Sequence, residues 1–145
     1  MANPDQLIQA VCDTAERSAP AGWRRIVLRV WASVVVQQVE LTVVLADGSS
    51  PATQPPEVTD LISELRMAMY LPARGTWLSA WFELRAGEPP EAGFNLDQDP
   101  AWFPELPPIA FARDLDVFPR SDEHIPVWLR QTLADAEAMA PRPGD

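Results

Sequence analysis

Three acidic groupings and one histidine have residue types and spacing that chemistry uses: Asp97/Asp99, Asp114/Asp116, the adjacent Asp122 and Glu123, and His124. Carboxylates two apart could hold a divalent cation or share the acid and stabiliser roles at a glycosidic bond. Their surroundings complete neither site. A hard-cation loop adds a glycine for tight curvature and further oxygen ligands, and NLDQDPAWFP has no glycine. His124 is the single histidine, and no serine sits in a nucleophile-elbow setting; GTWLSAW lacks the flanking glycines. Cys12, on an amphipathic helix, gives no support to a Cys–His pair. No glycine-rich strand-to-helix loop offers a phosphate cradle. The expectation is a non-enzyme with no catalytic residue, no metal ligand and no cofactor. A carboxylate/divalent-metal enzyme is the alternative from another class.

The same acids read better as a surface. Between Glu88 and Glu123 nine carboxylates face two arginines, a net −7 of the chain's −10. Phe94, Trp102, Phe103, Phe111 and Phe118 lie in that stretch. Rings supply buried area at an interface, and carboxylates steer a cationic partner onto it. The residues expected to bind a partner are Asp97, Asp99, Trp102, Glu105, Asp114, Asp116, Asp122 and Glu123. The competing reading makes the rings core and the acids a solvated rim.

Charge narrows the partners. With 21 acids, 11 arginines and no lysine, the surface repels nucleic acid and anionic membranes, and attracts basic proteins. The one basic cluster, Arg24, Arg25 and Arg29, lies on a strand whose alternation divides it between two faces. One cysteine excludes an internal disulfide. The N-terminus lacks a basic start with an apolar run, and VWASVVV is far too short to span a bilayer, so a cytoplasmic protein is expected.

These residues need elements to position them. Asn3, Pro4 and Gln6 form a helix-start signature, with Leu7, Ile8, Val11 and Ala15 on one face. WRRIVLRVWASVVVQQVELTVVL reads as two β-branched strands, with the turn at Ala32-Ser33 or Gln37-Gln38. Val58, Leu61, Ile62, Leu65 and Met69 keep helical spacing. TWLSAWFELRAG alternates as a strand, with Trp77, Ser79, Trp81, Glu83 and Arg85 on one side, and EAGFNLDQD is its antiparallel partner. A short helical turn is expected at Ala101–Phe103, a short helix or turn in IAFARDLDVFPR, and a final helix from Pro126 with Leu129, Leu133 and Ala136 inward. Proline, 16 residues of 145, marks the connections. The fold class is α+β: one domain over residues 1–140, an antiparallel sheet of about four strands with helices packed on one face, and a frayed tail at 141–145. One core is expected to suffice.

GWRRIVLRVWASVVV, the aromatic strand TWLSAWFELRAG, and FNLDQDPAWF leading to FARDLDVFPRSDEHIPVWL together resemble the YezG-like family of bacterial immunity proteins. The sharpest part is Phe118-Pro119-Arg120 followed by Ile125-Pro126-Val127-Trp128, and the likeness spans roughly residues 5–135. The stretch SSPATQPPEVTDLISELRMAMYLPARG is shorter and richer in proline than that family's pattern. The resemblance implies a non-enzymatic antitoxin, monomer or homodimer, that binds a cognate basic toxin domain, such as a nuclease, in the cytoplasm. A homo-oligomeric adaptor using a Trp77/Trp81 strand face is the third possibility.

Overall fold

The computed structural model of the chain describes residues 2–139. Helix α1 (Pro4–Ser18) begins with the capping box that the sequence predicts. The Asn3 side chain accepts from the Gln6 amide at 2.9 Å, and the Gln6 side chain accepts from the Asn3 amide at 3.0 Å. Two of the helix's unpaired donors are thereby satisfied.

Strands β1 (Trp23–Ala32) and β2 (Gln37–Leu45) form a hairpin. Its turn is Ser33–Val36, between the two positions expected. Ser33 closes it: its amide donates to the Val36 carbonyl at 2.8 Å, and its hydroxyl accepts from the Val35 and Val36 amides. Helix α2 (Thr59–Ala68) and strands β3 (Ser79–Arg85) and β4 (Glu91–Asn95) follow. Helices α3 (Pro108–Val117) and α4 (Val127–Met139) end the described chain, joined through a 3-10 turn at Asp122–His124. None of the described helices is long and apolar enough to cross a membrane.

The sheet is antiparallel throughout, in the order β2-β1-β3-β4. Register sorts its two faces. Ile26 pairs with Val43 and Leu84, Leu28 with Leu41 and Phe82, and Val30 with Val39 and Ala80, so one face is continuously apolar. Helices α1 and α2 cover it with Leu7, Val11, Ala15, Ile62 and Leu65. Each such large side chain contributes about 1.5–3 kcal/mol when taken from water. The other face carries Arg25, Val27, Arg29 and Trp31 from β1 and Ser79, Trp81, Glu83 and Arg85 from β3. This is the α+β class expected.

The structure corrects three expectations. The core is not single: Leu106, Ala110, Phe111 and Leu129 form a second buried cluster with Trp102, Leu115 and Trp128, between α3 and α4. Trp77 precedes β3 and is fully buried while Trp81 is exposed, so no Trp77/Trp81 face exists. Trp77 packs on Phe94 at 5.6 Å between ring centroids and belongs to the core. Residues 101–103 form no helical turn, because Ala101 takes a left-handed φ of 54° that breaks any helix there. The tail expected at 141–145 lies outside the described residues.

Candidate functional site

The α3–α4 unit is held to the sheet domain by two buried arginines. Arg66 on α2 meets Asp114 on α3 in a two-pronged pair, both contacts 2.8 Å, with side chains 2% and 7% exposed. Its Nε donates to the Trp77 carbonyl at 2.9 Å, and the guanidinium lies 5.1 Å from the Phe118 ring centroid. Asp114 Oδ1 also accepts from the Val34 amide at 2.8 Å, which ties the β1–β2 turn to α3. All three Arg66 guanidinium nitrogens and both Asp114 oxygens thus have a partner, as a buried ion pair requires, while the adjoining Trp77 indole nitrogen is buried without one.

Arg120 is the second pin, its side chain 2% exposed. It donates to the carbonyls of Thr76 (3.1 Å), Leu96 (2.5 Å) and His124 (3.1 Å). Burial lowers its pKa from the usual arginine value, and the Asp97 carboxylate at 3.3 Å opposes that shift. An arginine keeps its charge regardless.

Docked in this way, the unit presents a groove of about 260 Å³. Trp102, Phe111 and Trp128 form its apolar wall; Asp99, Glu105 and Asp135 line it with carboxylates. Phe111 and Trp128 meet edge to face, centroids 5.7 Å apart. The Trp128 indole is fixed by a 2.8 Å bond to the Asp97 carbonyl. Asp99 caps its own loop by accepting from the Ala101 amide at 3.0 Å, and Asp135 accepts from Gln131 one turn earlier at 3.1 Å. A cationic side chain suits such a groove, since an indole face and a carboxylate both attract it.

Of the eight residues expected at the partner surface, Asp99, Trp102 and Glu105 line the groove. Asp97 is half exposed and near it in the chain, but Arg120 and Arg74 (3.9 Å) already engage its carboxylate. Asp116, Asp122 and Glu123 are all exposed and lie outside it. Asp114 overturns the expectation that it faces outward: it is 5% exposed and committed to Arg66. The reason is helical. Residues two apart on α3 point about 200° away from each other, so Asp114 faces in and Asp116 out, and the pair cannot share a ligand.

Trp128 and Asp135 were not expected in the site. Their seven-residue separation on α4 is the signal that places them on one helix face. His124 closes a local turn, its Nδ1 3.0 Å from Ser121 Oγ. Glu123 approaches that same nitrogen at 3.9 Å, so the carboxylate does not orient the opposite side of the ring as a relay demands. Among the described residues no three His, Cys, Asp or Glu side chains gather closely enough to hold a metal ion.

No protein-family model matches the chain, and no curated protein is similar to it in sequence.

Proposed function

We propose that this chain is an immunity protein: it makes and breaks no bonds, and neutralises a basic toxin domain by seating cationic side chains in the acidic, aromatic groove. The observation that carries the reading is the convergence of Asp99, Glu105 and Asp135 on a wall of Trp102, Phe111 and Trp128. A net −7 between residues 88 and 123 adds long-range attraction to that local site. The toxin class the resemblance implies, a nuclease, is itself commonly cationic because its substrate is a polyanion.

The test is association with a basic toxin domain, the first choice being one encoded beside this chain. Replacing Asp99, Glu105 and Asp135 together by asparagine, glutamine and asparagine should slow association about tenfold at low salt and flatten its salt dependence. Neutralising Asp116, Asp122 and Glu123 in the same way removes an equal charge from outside the groove and should slow association less. Kinetics unaffected by the groove variant would remove the groove from the interface.

A further inference from the structure

The sheet face turned away from α1 and α2 carries a second site of opposite character. Arg25, Arg29, Trp31 and Trp81, with Glu83 and Asn95, line a concavity of about 370 Å³. Its lining shares no residue with the acidic groove. Arg25 and Arg85 both bond to Glu83, at 2.7 and 3.0 Å, and those hydrogen bonds, Arg25's foremost, hold the Glu83 pKa below its ordinary value. Two guanidinium groups thus share one carboxylate. Arg29 stands across from Glu40 on β2 and Trp81 on β3, yet makes no salt bridge among the described residues.

The rings flank these cations. Trp31 is held by an indole bond to the Pro100 carbonyl, 2.8 Å. Trp81 pairs with Gly93 on β4, and its indole fills the space where any side chain at 93 would be. It is nevertheless 41% exposed. Ordinary cross-strand ion pairing accounts for Arg25, Glu83 and Arg85. It leaves unexplained an exposed indole beside an arginine that makes no salt bridge even with the Glu40 across from it.

We infer that this concavity binds a small ligand in which an oxyanion, phosphate or carboxylate, is attached to a flat ring. A guanidinium takes either oxyanion through two parallel hydrogen bonds, and an indole accepts a ring by stacking or edge contact. The volume falls in the range of small-molecule clefts. The chain's overall negative charge repels anions at a distance, so affinity comes from contacts within the site and is modest.

The full chain is titrated by calorimetry with adenosine 5′-monophosphate and, separately, indole-3-carboxylate. Adenosine and inorganic phosphate serve as controls for ring and anion alone. Saturable binding of either ring-bearing anion is expected, weakened about tenfold by Arg29→Gln and by Trp81→Leu, with both controls weaker than the full ligand by a similar factor. Which of the two binds distinguishes phosphate from carboxylate. Both variants alter exposed side chains, and unchanged circular dichroism confirms their fold. No saturation by either ligand in the millimolar range overturns the inference, as does binding that both variants leave intact. A single-stranded oligonucleotide bound far more tightly than the mononucleotide also overturns it, pointing to a polymer surface. Toxin binding is measured separately, and none of these outcomes bears on it.

Discussion

Asp114→Ala is the sharpest perturbation available, because it separates a docking role from a partner-binding one. The substitution strands the Arg66 guanidinium, 2% exposed, and orphans the Val34 amide. Removing one member of a buried ion pair costs about 3–5 kcal/mol, a large share of the roughly 5–15 kcal/mol that holds a domain together. For a chain of this size that corresponds to a melting temperature lower by about 10–16 °C. The assay is urea unfolding followed by tryptophan fluorescence, for which buried Trp77, 5.9 Å from the Arg66 guanidinium, is a local reporter. The double variant Arg66→Met/Asp114→Leu should recover most of the loss, since it removes both charges and leaves neither stranded. If Asp114→Ala costs less than about 1 kcal/mol, as exposed charges do, the ion pair does not hold the α3–α4 unit in place. A docking role is equally refuted if the variant keeps its stability and loses only the partner binding proposed above.

Arg120→Lys should destabilise by about 2–3 kcal/mol in the same unfolding assay, because one ammonium cannot reach three carbonyls that a planar fork spans. Gly93→Ala should displace the Trp81 indole toward solvent at a cost of about 1 kcal/mol, visible as a red shift in tryptophan emission. Burial, with a smaller contribution from Asp13, pushes the Cys12 thiol from 9.0 up to about 11. The unfolded thiol therefore ionises first, and the folded state binds the extra proton in between. Stability should fall as pH rises from about 9 to 11, and Cys12→Ala should abolish that part of the slope in unfolding curves measured across the window. A disulfide reagent at pH 8 should label native Cys12 far more slowly than the unfolded chain.

Elements with a local code were legible in the sequence. Asn3 and Gln6 announce the start of α1 within three residues, and alternation in TWLSAWFELR separates the two sides of β3. The hairpin turn was harder, since three exposed valines follow Ser33 and its hydroxyl bonds carry the turn without glycine or asparagine. The groove was half legible. Asp99, Trp102 and Glu105 lie in one proline-rich stretch whose acid and ring content is visible locally, whereas Asp135 comes from a helix 30 residues later and is brought in by packing. The inward turn of Asp114 was hidden because its partner is 48 residues distant, and nothing near position 114 marks Arg66. A clue existed: Ala110, Phe111 and Asp114 fall on one helical face, and an acid on an apolar stripe requires a buried cation opposite.

The Arg120 pin has a consequence for how this molecule can change. Its acceptors at Leu96 and His124 are main-chain oxygens, which any amino acid provides, so substitutions there leave the clasp closed. Position 120 has no such latitude, nor does Gly75, where a methyl group would sit 2.6 Å from the Arg120 Nε atom. A lineage could therefore vary the residues lining the groove while Arg120 and Gly75 stay fixed.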